Sequence, residues 1–184
     1  MIGGQTGTLI LRLLERIPKL VQIHVYEPIE EFSKLAPLSE KVTNFSEAIF
    51  SYSGQLEIKV AGDHTFMPET GRVVYVDQAL KSEPVPCITF RQAIERIGAS
   101  GVSLIMNCEG SEYFTLRLIL EEEILPKSII FQSHEMGERL RLELYRLRAK
   151  LSEKYMPVFC ADWAWDIWIL DSSEKKASQD GSEE

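Results

Sequence analysis

Apolar residues recur along this chain at two spacings, one helical and one alternating. Leu9, Leu13 and Ile17, overlapped by Ile10 and Leu14, keep helical spacing and predict a helix from about Thr6 to Ile17, ended by Pro18. In VQIHVY, Val21, Ile23 and Val25 alternate with Gln22, His24 and Tyr26, which predicts a strand stopped at Glu27-Pro28. A short helix is expected around Ile29 to Leu35. The next section reads as β-rich: KVTNFSEAIF is extended, SYSG is a turn, QLEIKV alternates, AGDHTFMPETG is a loop and RVVYV is a further strand.

Beyond Pro84 and Pro86, CITF reads as a strand and Arg91 to Ile97 as a helix closed by Gly98. VSLIMN (Val102 to Asn107) is a strand-length apolar run. A helix from Glu112 to about Ile124 follows, with Ser111 as its expected cap and Pro126 closing it. SIIFQS is another strand. A long helix from Glu138 to about Tyr155 turns Leu140, Leu144, Leu147 and Leu151 inward, and VFCADWAWDIWIL supplies one or two closing strands whose tryptophans read as core packing. Strands alternate with helices at both ends of the chain, which predicts an α/β layered fold with a largely parallel sheet; the centre adds antiparallel strands. The domain is expected to span 1–170. DSSEKKASQDGSEE (Asp171 to Glu184) has no apolar residue larger than alanine and reads as a disordered acidic tail.

With 184 residues a single domain is expected. The formal net charge of −8 argues against a nucleic-acid partner, because phosphate attraction needs a basic surface. The basic run RLRLELYRLRAK is interrupted by glutamate and reads as a solvated helix face. No apolar run is long enough to cross a bilayer, so no membrane partner is expected. The three cysteines lie far apart without metal-ligand spacing, so no metal site is expected; their odd number, with no signal-like leader, fits a cytoplasmic setting. Nothing in the pattern fixes an oligomeric state.

Three strand ends carry candidate chemistry. IGGQTG places glycines before the first helix, where free N–H groups and the helix dipole suit a carboxylate or phosphate; it also reads as a plain helix start capped by Thr6. Glu27 ends the VQIHVY strand, where a carboxylate suits a ribose diol. The absence of GxGxxG counts against a nicotinamide oxidoreductase. LIMNCEGSEYF runs an apolar strand into Asn107, Cys108 and Glu109, with Asn107 and Glu109 expected to face a ligand crevice and Glu112 to complement the dipole of the following helix.

VYEP, NFSEAIFSYSGQLEI, CITFRQAIERIGASGVSLIMNCEGSEYF and SIIFQSHEM, in this order and spacing, resemble the FkbM family of S-adenosylmethionine-dependent methyltransferases. The resemblance covers nearly all of Ile2 to Leu170. LIMNCEGSE is its most specific part, matching a strand that ends Asp-x-Glu-Gly-Ala/Ser-Glu, and IGGQTG is similar to the second half of the family's Gly-Ala-Asn-Ile-Gly loop. The family's first strand has no counterpart here. The resemblance therefore implies a Rossmann-like three-layer sandwich that is N-terminally truncated, with a gap at the centre of its sheet. The family's acidic positions are Arg91, Asn107 and Gln132 in this chain.

The resemblance implies methyl transfer from S-adenosylmethionine to a hydroxyl of a small molecule or sugar. Gly3, Gly4, Gln5 and Thr6 would approach the methionine half of the cofactor and Glu27 its ribose, with Asn44 and Ser46 near the adenine. Asn107, which also falls in the cofactor set, and Glu109 would line the reaction crevice. His134, just beyond the SIIFQS strand, is the candidate general base, whereas His24 reads as packed and His64 as near substrate. The three substitutions and the missing strand favour a rival reading, in which a methyltransferase-like fold serves as a non-catalytic binding or scaffold protein.

Overall fold

The computed structural model describes residues 1–4, 7–61, 64–66, 81–108, 110–134, 137–162 and 164–172. Gln5, Thr6, Glu109, Trp163, the RVVYV strand at 72–76 and all of the tail beyond Ser172 lie outside the described residues. The chain is a mixed α/β protein. Its elements are α1 (Thr8–Arg16), β1 (Ile23–Tyr26), α2 (Glu30–Ser33), β2 (Val42–Phe45), β3 (Ala48–Phe50), β4 (Gly54–Ala61), β5 (His64–Phe66), β6 (Lys81–Thr89), α3 (Phe90–Ile97), β7 (Ser103–Met106), α4 (Glu112–Glu121), β8 (Ser128–Gln132), α5 (Gly137–Leu151), β9 (Tyr155–Cys160) and β10 (Trp165–Leu170). No helix among them is long and apolar enough to cross a membrane.

The strands form three sheets, ordered β1-β2, β7-β8-β10-β9 and β3-β6-β4-β5. β1 pairs with β2, β7 with β8 and β3 with β6 in parallel. β8–β10, β10–β9, β4–β5 and β4–β6 are antiparallel. Parallel pairs thus share the fold with antiparallel additions at the β9/β10 end as well as in the centre.

The gap expected in the middle of the sheet is partly filled by the chain's own first residues. Ile2 bridges Tyr26 of β1 on one side and Met106 of β7 on the other. Ile2 N donates to Ile105 O (2.8 Å), Asn107 N to Ile2 O (3.0 Å), Tyr26 N to Met1 O (2.9 Å) and Gly3 N to Tyr26 O (2.9 Å). IGG was expected to be loop only. Its isoleucine is instead a one-residue strand, because both flanking strands present backbone groups that need partners. A cavity of about 20 Å³ lies beside it, lined in part by Ile2, Tyr26, Phe90, Ala93 and Leu104.

The main core joins Met106, Leu116, Ile119, Ile129, Phe131, Leu144, Leu151 and Trp168, so α3, α4 and α5 cover β7, β8 and β10. The leucine stripe of α5 behaves as its spacing predicts: Leu144, Leu147 and Leu151 are buried and Leu140 packs against the same core. Ile10 of α1 packs on Ile23 and Val25 of β1. A separate cluster of Ala48, Phe50, Leu56, Ile58, Val85 and Cys87 joins β3, β4 and β6.

Three local expectations change. The strand expected at CITF begins at Lys81 and contains Pro84 and Pro86; both pair with β4, while β3 covers the other edge of β6 only from Cys87 to Thr89, so neither proline faces a second ladder. His64 and its neighbours, expected in a loop, form β5 against β4. Ser111 occupies the cap position of α4 but makes no side-chain cap bond.

Candidate functional site

β1, Ile2, β7 and β8 run in the same direction, so β1, β7 and β8 end on the same side as the Ile2–Gly4 segment. Glu27 directly follows β1, Asn107 follows β7, and Ser133 and His134 follow β8. The β7–β8 register sets Met106 opposite Phe131, so the chain leaves both strands at one level. In a parallel sheet this end is where ligands bind, because loops diverge there and helix starts face it.

Gly3 and Gly4 fit this place because no larger residue would. Gly3 has φ +79°, and a Cβ there would stand 2.0 Å from Asn107 O. A Cβ on Gly4 would stand 2.5 Å from Val25 Cγ1. The glycines therefore let the first residues pass between the ends of β1 and β7. Gly7, in a left-handed conformation, is the N-cap of α1 and Thr8 its first residue. The expected cap at Thr6 thus falls one position early, on a residue outside the described ones.

Glu27 is only 4% exposed. Gly4 N donates to its Oε2 (3.1 Å) and Ile29 N to its Oε1 (3.2 Å). One carboxylate thus ties the glycine segment to the turn after β1. Sequence spacing brings Glu27 and the glycines together but does not show that they bond directly to each other. The β1–β2 register of Val25 with Asn44 and Tyr26 with Phe45 carries Ser46 to the level of Glu27, and Glu27 N donates to Phe45 O (3.0 Å). Asn44 is exposed and Ser46 half-buried. Both therefore lie at the same sheet end as Glu27.

Asn107 Oδ1 is buried and accepts no hydrogen bond among the described residues. A buried amide oxygen left in this way costs about 1–3 kcal/mol, a penalty that a donor from a ligand would remove. His134 is buried, and its Nδ1 stands 3.0 Å from Glu112 Oε1. Glu112 is the residue that sequence reasoning undervalued. It was expected only to complement the α4 dipole, and it is fully buried and also accepts from Cys108 N (2.6 Å) and Gly110 N (2.7 Å). The signal available in the sequence was the loop itself: CEG leaves N–H groups at the helix start that Ser111 does not cap.

His24 is packed as expected, stacked on Phe45 at 5.9 Å, and burial lowers its pKa from the ordinary value. His64 lies on β5, in the sheet that contains neither β1 nor β7. Among the described residues, Cys87, Cys108 and Cys160 form no disulfide. The structure brings Gly3, Gly4, Glu27, Asn107 and His134 to one end of the strands, with Ser46 level with Glu27 and Asn44 opposite Val25. No family model matches the chain, and no curated protein or solved structure matches it either.

Proposed function

We propose that the chain is a methyltransferase of Rossmann-like, three-layer design that uses S-adenosylmethionine and acts on a hydroxyl oxygen of a small molecule or sugar. One observation carries the reading. Gly3-Gly4, Glu27, Asn107 and His134 meet where the parallel strands β1, β7 and β8 end, and the chain crosses between β1 and β7 there. The residues fit the cofactor at two points. The orphaned Asn107 Oδ1 suits a donor such as an amino group. Glu27 is a carboxylate at the end of β1, and accepting a ribose diol there adds to or displaces its bonds from Gly4 and Ile29.

When bound, the cofactor supplies an activated methyl on sulfur. The residues of this chain then have three tasks. Gly3, Gly4 and Glu27 hold the cofactor, with Gln5, Thr6, Asn44 and Ser46 alongside. Asn107 and Glu109 orient the acceptor hydroxyl in line with the methyl. His134 takes the hydroxyl proton as the new bond forms. Alignment of this kind lowers a barrier by about 7–11 kcal/mol in favourable cases.

A second reading, a non-catalytic methyltransferase-like scaffold, is favoured by the engagement of both Glu27 oxygens by backbone N–H groups inside the protein. Titration calorimetry with S-adenosylhomocysteine decides between the two. Saturable binding to the parent that is lost in Glu27→Ala, with that variant still folded, supports the methyltransferase. No binding to the folded parent removes that reading and leaves the scaffold.

A further inference from the structure

Glu112 opens α4, yet its carboxylate points back into the protein and is fully buried. Three groups surround it. Cys108 N donates to Oε1 at 2.6 Å, Gly110 N donates to Oε2 at 2.7 Å, and His134 Nδ1 lies 3.0 Å from Oε1. Each oxygen already receives a backbone N–H, so the carboxylate acts as acceptor throughout and the ring nitrogen must be the donor in the third bond. The neutral imidazole then carries its proton on Nδ1, and Nε2 becomes its basic nitrogen.

We propose that Glu112 is the positioning residue for His134. One buried carboxylate sets the tautomer and orientation of the ring and, through Cys108 and Gly110, ties it to the loop that begins at Asn107. The two halves of the site come from different strands, β7 and β8, and Glu112 is a single group that bonds to both. The same logic operates wherever an acid holds one nitrogen of a catalytic histidine so that the other is correctly protonated. The chemical use of Nε2 rests on the reading of His134 as general base given above; the tautomer and its cause do not.

The test uses the full chain with ¹⁵N-labelled histidine. Long-range proton–nitrogen spectra are recorded at a pH where the rings are neutral, and the three histidines are assigned by single His→Gln variants. The expected result is Nδ1–H as the majority form of His134 in the parent, with a shift to majority Nε2–H in Glu112→Leu, the form that free imidazole prefers. Majority Nε2–H in the parent overturns the proposal, and so does an unchanged tautomer in a folded Glu112→Leu, since Glu112 would then serve only the loop N–H groups. Where Glu112→Leu does not fold, the parent spectrum alone decides. S-adenosylhomocysteine calorimetry on the same parent sample separates the two claims: absent binding removes the methyltransferase reading, while the tautomer result stands or falls on its own.

Discussion

At the scale of single residues, the site is held by backbone N–H groups gathered on buried carboxylates. Glu27 receives two of them, from Gly4 and Ile29. Replacing it with alanine strands both donors where water cannot reach, at about 1–3 kcal/mol each. Glu27→Ala should therefore lower the unfolding free energy by about 2–6 kcal/mol in urea titration; a variant as stable as the parent would show that the two N–H groups find other partners. Gly3 gives a sharper case. Its positive φ disfavours any side chain by about 1–2 kcal/mol, and a Cβ 2.0 Å from Asn107 O forces the two strand ends apart. Gly3→Ala should lose more stability than the conformational term alone, whereas a loss below about 1 kcal/mol would mean that the Asn107 peptide moves aside freely.

At the scale of elements, α5 is fastened to the sheet by one buried ion pair. Arg148 Nε donates to Asp166 Oδ2 (2.8 Å) and its Nη2 to Asp166 Oδ1 (2.7 Å), while Nη1 reaches Asp162 Oδ1 (2.6 Å). Asp166 is fully buried on β10, and Trp168 Nε1 donates to the same carboxylate at 3.3 Å. Bonding to Asp166 raises the pKa of Arg148 above its ordinary value. Asp166→Ala leaves the guanidinium uncompensated and should destabilise by about 3–5 kcal/mol, and a double change that also replaces Arg148 with Met should recover part of that loss. If the double variant is no better than the single one, the bonds to Trp168 and Asp162 matter more than the charge pair. None of this pairing shows in the sequence, since the eighteen-residue spacing spans the whole of β9 and has no local signature. The elements themselves were legible. α5 followed from its leucine stripe, and α3 from the run closed by Gly98, its left-handed C-cap, while the Thr89–Gln92 capping box that starts it went unread. Legibility failed where tertiary partners overrode local signals: prolines inside β6 are tolerated by an open edge, Ile2 becomes a strand only because β1 and β7 flank it, and Glu112 turns inward to serve N–H groups that Ser111 leaves uncapped.

At the scale of the whole molecule, the way β1 and β7 are joined would set a dependence on pH in any chain that carries a free amino group at Met1. The α-amino group of Met1 lies in the sheet and donates to His24 O at 2.6 Å. Burial lowers its pKa from 8.0 to about 5. Above pH 8 the amine is neutral in the folded and unfolded chains alike and does not affect their balance. Between about pH 8 and pH 5 the unfolded chain binds a proton that the folded chain refuses, so stability falls as pH falls, by about 1.4 kcal/mol per unit. Below about pH 5 the folded amine is protonated as well and its contribution to the slope ends. The whole window corresponds to about 4 kcal/mol, a large share of the 5–15 kcal/mol that holds a domain together. For the 184-residue chain with a free amino terminus, unfolding free energy should therefore climb from pH 5 to pH 8. Other groups titrate in the same range, His24 among them, whose lowered pKa acts in the same direction. The amine is isolated by comparison with the same chain bearing an N-terminal acetyl group, or with an apolar strand ending in Gly-Ala-Asn fused ahead of Met1. Either change replaces the titrating amine with an amide, and the fused strand would also supply backbone partners to β1 and β7 beyond Ile2. Both should flatten the slope between pH 5 and pH 8, and the fused strand should raise the midpoint further and sharpen the thermal transition. Parallel curves for all three chains would mean that the amine is solvated in solution and that the Met1–Gly3 segment does not join the two strands as a buried bridge.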